Sequence, residues 1–173
     1  EMEVELRQAL CREELQMHYQ VQVDSEGKAI GAEAFIRWEH PDRGMLSALE
    51  IIPLAERSNL IFDVGDWAFD AAFSQLAQWG KSAKTSHLSL AVNVSPKQFN
   101  DVHFANKVAS LIVKYPIAPE NLKLELTESA LVDNVTEALA KMKYLKGLGV
   151  TFTMDDFGLG HSSLSHLKDF PID

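Results

Sequence analysis

Gly31-Ala32-Glu33-Ala34-Phe35-Ile36-Arg37-Trp38 sets Ala32, Ala34, Ile36 and Trp38 on one face and Gly31, Glu33, Phe35 and Arg37 on the other. Successive side chains leave a strand on opposite sides, so this period of two reads as a strand with one apolar face. The pattern recurs three times. Leu88, Leu90, Val92 and Val94 oppose Ser89, Ala91, Asn93 and Ser95; Leu122, Leu124 and Leu126 oppose Lys123, Glu125 and Thr127; Val150, Phe152 and Met154 oppose Thr151, Thr153 and Asp155. Each second face carries an Asn, Asp or Glu at or near the end of its strand. An exposed face of an antiparallel sheet would explain polar residues in general. It would not explain carboxylates gathered towards strand ends while Ser, Thr, Ala and Gly fill the earlier positions. Strands that deliver oxygen donors to one place are how a parallel barrel builds a metal site.

Working outward, strand and helix patterns alternate. Glu3 to Arg12 reads as a helix and Leu15 to Val23 as a strand with Gln16, His18, Gln20 and Gln22 on its polar face. Asp24-Ser25-Glu26-Gly27 turns into the strand from Ala29 to Trp38. Glu39 to Gly44 reads as a loop, and Ser47 with Glu50 as the cap of a helix over Ala48 to Ser58. Further helices are predicted over Asp63 to Trp79, from Ser95-Pro96 to about Tyr115, over Asn134 to Leu148, and in a short piece ending near Pro171. The hairpin makes the first two strands antiparallel. Helical crossovers make the rest parallel and right-handed. Five strands result, the first five-eighths of a (β/α)8 barrel, whose active site lies at the C-terminal strand ends.

Composition narrows the function. A net charge of −9 argues against polymeric nucleic acid or an anionic membrane surface as partner, yet admits a small anionic ligand if divalent metals reverse the local sign. Cys11 is the one cysteine, which points to a reducing compartment, and the chain reads as cytoplasmic. The six histidines show no ligand spacing, Trp38, Trp67 and Trp79 read as core, and Glu56 as a helix-surface acid.

At these residues the chain resembles the EAL domain, the phosphodiesterase module that opens cyclic di-GMP to linear pGpG. Glu33-Ala34-Phe35-Ile36-Arg37 stands for the family's Glu-x-Leu-x-Arg signature. His40-Pro41, Ile52-Pro53-Leu54-Ala55-Glu56, Asn93-Val94-Ser95, Glu125-Leu126-Thr127-Glu128 and Asp155-Asp156-Phe157-Gly158 follow in the family's order over the whole chain. The resemblance implies an α/β fold, a TIM-like barrel of the EAL type with an antiparallel first strand, with residues 1–12 as the end of an upstream linker helix. It implies that Glu33, Asn93, Glu125 and Asp155 ligate a catalytic Mg²⁺ or Mn²⁺, that Asp156 helps hold a second ion, and that Glu128 supports the site. Gln20 and Arg37 would face the substrate phosphates, with Phe35 beside them. Cyclic di-GMP, a homodimer and upstream regulatory domains are the implied partners.

The chain also departs from the family pattern. Phe35 replaces Leu on the site-facing side, where a ring either packs against ligand or crowds it. Leu159 replaces Thr or a small residue in a loop that relatives use to couple dimerisation to metal binding, and Val21 replaces the usual Pro. The family's general-base Lys lies in a Leu-Lys-Ile-Asp motif on the strand expected after Asp173; Lys168 belongs to the preceding helix and is not that base. The alternative function is a degenerate domain that binds cyclic di-GMP without cutting it.

Overall fold

The computed structural model describes residues 1–155 and 170–173, with the backbone alone at Asp155. Helix α1 (Met2–Cys11) leads into an antiparallel pair, β1 (Leu15–Val23) and β2 (Ala29–His40), in which Leu15 faces Trp38 and Gln20 faces Glu33. The turn between them is closed by Asp24, whose carboxylate accepts the N–H groups of Glu26 and Lys28 at 2.9 Å each, and Gly27 supplies the positive φ of +79°.

The chain continues through β3 (Gly44–Ser47), α2 (Ala48–Arg57), α3 (Ile61–Trp79), β4 (Ser89–Val94), α4 (Pro96–Phe99) and α5 (Phe104–Lys114). It then forms β5 (Leu122–Thr127), α6 (Ser129–Val132), α7 (Val135–Gly147) and β6 (Thr151–Asp155). One sheet runs β1-β2-β4-β5-β6, with β3 paired to β2; the β2–β4, β4–β5 and β5–β6 contacts are parallel. Phe170 to Asp173 lies against β6: the Asp173 N–H donates to the Phe152 carbonyl at 2.8 Å, and the Phe152 N–H donates to Asp173 Oδ2 at 3.0 Å. This is the arrangement of a partial TIM-like barrel.

The alternation does the work assigned to it. Leu122, Leu124 and Leu126 are fully buried under the helices, while Lys123, Glu125 and Thr127 on the other face stay half-exposed. Each buried Leu contributes roughly 1.5–3 kcal/mol over an exposed one. The apolar residues form two clusters. One gathers α1, the C-terminal end of β2, β3, α2 and the start of α3 around Trp38 and Ile51; the other joins β4, β5 and β6 to the remaining helices around Phe73, Phe99 and Phe152.

Three sequence expectations are corrected. The stretch from Glu39 to Gly44 is not all loop: β2 runs on to His40, a tight turn follows, and β3 returns with His40 facing Gly44, so the sheet has six strands rather than five. Gly44 takes the left-handed conformation at φ +72° that this reversal needs. The single helix expected from Ser95 to Tyr115 breaks between Phe99 and Phe104, where Asp101 turns the chain by accepting the His103 N–H at 3.1 Å. Buried Lys141 of α7 holds that break, donating to the carbonyls of Phe99 at 2.6 Å and Asp101 at 3.1 Å. The short α6 is also additional to the expected elements. The expected helix before Pro171, with Asp156, Leu159 and Lys168, lies outside the described residues.

Candidate active site

β2 changes neighbour part-way along its length. It pairs with β4 from Gly31–Ser89 to Ala34–Val92, and then with β3 from Arg37–Ser47 onward. Between these registers the two parallel strands part, and a cleft of about 440 Å³ opens at their C-terminal ends. Its floor carries Glu33, Phe35, Asn93, Glu125 and Thr127, and its walls come from α2 and α3. A mostly apolar cleft with a few convergent polar groups is the usual form of a small-molecule site.

Within the floor, the Asn93 side-chain amide donates to Glu33 Oε1 at 2.8 Å. Asn93 and Glu125 are direct neighbours across the β4–β5 ladder, and Thr153 Oγ1 donates to Glu125 Oε1 at 3.4 Å. The structure therefore brings three of the expected metal ligands together. The backbone of Asp155 pairs with Thr127 at the end of the same sheet, while its side chain and all of Asp156 lie outside the described residues. Among the described residues no three His, Cys, Asp or Glu side chains converge as a metal cluster. The set present is two carboxylates and an amide, hard oxygen donors of the kind that suit Mg²⁺ or Mn²⁺.

The remaining expected residues sit nearby. Gln20 stands beside Glu33 in register and is exposed. Arg37 lies two residues beyond Phe35 on the same face, its guanidinium 5.7 Å from the centre of the Phe35 ring and bonded to the Ile36 carbonyl at 2.9 Å. Glu128 is the N-cap residue of α6, just past β5, and does not border the cleft. His18 faces Phe35 across β1 and is exposed.

Sequence reasoning missed the wall. Leu49, Ile52, Pro53 and Glu56 border the cleft, so Glu56 is more than a surface acid. Their spacing of three, four and seven marks one helix face. The opposite face, Ile51, Leu54 and Ala55, is already buried in the core. A helix apolar on two faces was the available signal. Gln98 and Gly65 also border the cleft and were not singled out.

The EAL domain family model matches residues 3–173. An uncharacterised signalling protein of Caulobacter vibrioides is 42% identical over 170 residues, 98% of this chain and 20% of that protein. The bifunctional diguanylate cyclase/cyclic di-GMP phosphodiesterase MucR of Pseudomonas aeruginosa is 38% identical over 168 residues, 96% of this chain and 24% of its own length. The solved MucR phosphodiesterase in complex with c-di-GMP superposes with a TM-score of 0.93 at 37% identity, covering 98% of this chain and 69% of that one. The chain thus spans about a fifth to a quarter of these two curated relatives. No helix among the described residues is long and apolar enough to cross a membrane. From its match over nearly every residue, and from the strand ends that carry the signature, the chain belongs to the EAL domain family.

Proposed function

We propose that this chain binds cyclic di-GMP in the cleft and hydrolyses one of its phosphodiesters to give linear pGpG. One observation carries the reading: Glu33 and Asn93 are in contact, with Glu125 beside them, in the floor of an otherwise apolar cleft. The substrate combines two phosphates with two purines. It needs charge neutralised at one end of its site and apolar surface at the other.

Glu33, Asn93, Glu125 and Asp155 would hold one Mg²⁺ or Mn²⁺, and Asp156 would share a second. Such ions lower the pKa of water and stabilise the attacking and leaving oxygens of an in-line displacement at phosphorus. Arg37 and Gln20 would orient the phosphates, with the Phe35 ring supporting the guanidinium. Water adds to phosphorus and a ribose oxygen leaves, so the ring opens without a covalent enzyme intermediate. By family resemblance the proton acceptor would be the Lys of a Leu-Lys-Ile-Asp motif, which is not among the residues described. The same resemblance supports a cytoplasmic homodimer under upstream control, with Glu128 steadying the site.

The test is chromatographic detection of pGpG after incubation of the protein with cyclic di-GMP and Mn²⁺. Glu33→Ala is expected to abolish turnover and leave the fold intact, since it removes a half-exposed carboxylate rather than core. Undiminished hydrolysis in that variant would sink the ligand assignment. Ligand binding without turnover would point to the sensor function only in a protein that carries the family's general-base Lys.

A further inference from the structure

Asn93 is the exposed member of the floor, and the β2–β4 ladder ends one residue before it, at Ala34–Val92. On its β5 side the strand stays paired through Val94–Leu126. On its β2 side a different device takes over at the turn into α4. The Ser95 N–H donates to Gln98 Oε1 at 3.2 Å, and the Gln98 N–H donates to Ser95 Oγ at 3.2 Å, a reciprocal capping pair. The Gln98 carboxamide reaches this position because α3 carries glycine beneath it. A methyl group on Gly65 would overlap that carboxamide, with its Cδ only 2.8 Å away. Gly65, Ser95, Gln98, Asn93 and Glu33 all border the same cleft.

We propose that Gln98 is a positioning residue for the metal site: seated in the notch at Gly65, it fixes the β4–α4 turn and so holds Asn93 against Glu33. The inference rests on the reading of Asn93 as a metal ligand. Gln98 is not one of the expected metal ligands; it acts through a turn that begins two residues from one of them, at Ser95. A side chain at position 65 would then displace the carboxamide from its seat, which is why this site favours glycine there.

The test uses Gln98→Ala, Gln98→Glu and Gly65→Ala with two readouts. One is the side-chain amide resonance of Asn93 in the metal-free protein, assigned by its loss in Asn93→Ala. The other is Mn²⁺ affinity by titration calorimetry. Gln98→Ala and Gly65→Ala are each expected to shift the Asn93 amide and to weaken Mn²⁺ by about tenfold, the lower end of what outer-shell partners contribute. Gln98→Glu can still accept the Ser95 N–H, so it is expected to keep the amide in place and the affinity within about twofold. Combining Gly65→Ala with Gln98→Ala is expected to add nothing to either alone, because both remove the same contact. An Asn93 amide unmoved in Gln98→Ala would overturn the proposal, as would a Gln98→Glu variant that behaves like Gln98→Ala. Should the unaltered protein bind no Mn²⁺, the metal reading of Asn93 falls, and the amide shift still decides the role of Gln98. A Gly65→Ala variant that does not fold leaves the decision to the Gln98 pair.

Discussion

Asn93→Asp changes one atom group at the centre of the site and turns a hydrogen bond into a repulsion. In the structure the Asn93 amide lies 2.8 Å from Glu33 Oε1. An Asp in its place would set two carboxylates side by side. Asn93 is exposed, so a water-like dielectric applies, and unit charges about 3–4 Å apart then repel by about 1–1.5 kcal/mol. Loss of the hydrogen bond contributes about 1 kcal/mol more. The sum, about 2–2.5 kcal/mol, corresponds to about 4–10 °C in Tm for a chain of this size. The assay is differential scanning calorimetry at low salt in EDTA, repeated with Mn²⁺. In EDTA the variant is expected to melt that far below the unaltered protein, with the gap shrinking as salt screens the pair. With Mn²⁺ the gap should close, because a second carboxylate is a better ligand than an amide. Equal Tm values in EDTA would refute the contact, and no response of either protein to Mn²⁺ would refute the metal site.

Phe35→Leu removes the ring under Arg37; a contact of this kind at an exposed site is worth about 0.5–1 kcal/mol, so KM for cyclic di-GMP should rise about two- to fivefold with kcat unchanged. A lower KM would mean that the ring crowds the ligand. Lys141→Met keeps the aliphatic stem but strips the buried Phe99 carbonyl and the half-buried Asp101 carbonyl of their donor, and should cost about 2–4 kcal/mol, read as a lower urea midpoint at unchanged m. An unchanged midpoint would show that water replaces the ammonium. The Asp70 carboxyl is held below its ordinary range by hydrogen bonds from Lys114 and then Tyr115. Its folded value is the lower one, so its contribution is present above about pH 4 and lost as pH falls through that folded value. Asp70→Asn should therefore lose less stability than the unaltered protein on acidification, in melts across that range. A parallel loss would place the effect elsewhere.

The barrel strands were legible because each keeps its period over five residues or more and because one face is apolar throughout, as with Ala32, Ala34, Ile36 and Trp38 in β2 and Leu122, Leu124 and Leu126 in β5. β3 was not, since Met45 and Leu46 between two turn signals are too short to show a period. The break at Asn100 to His103 was hidden by helix formers on both sides, and only the tertiary hold of Lys141 on the Phe99 and Asp101 carbonyls makes it visible. At the site, Asn93 and Glu125 could be read from their place near the ends of β4 and β5; Glu33 lies mid-way along β2, and reaches their height because the β2–β4 pairing ends beside it at Ala34–Val92. The cleft could not be read. It exists because β2 exchanges β4 for β3, a pairing that depends on a strand the sequence does not announce. Glu56 and Gln98 share that origin: their importance comes from what they face across the gap.

The two apolar clusters meet along the walls of this cleft. Ile36, Ile61 and Val64 of the first and Ala34, Phe69 and Val92 of the second all border it. A ligand wedged there touches both halves at once and acts as a fastener between two packing units. An occupant would couple the opening of the two units, and amide protons on α2 and on β4 are expected to exchange more nearly together in the filled cleft than in the empty one. The shape of an occupant would thus set how tightly the two packing units are joined.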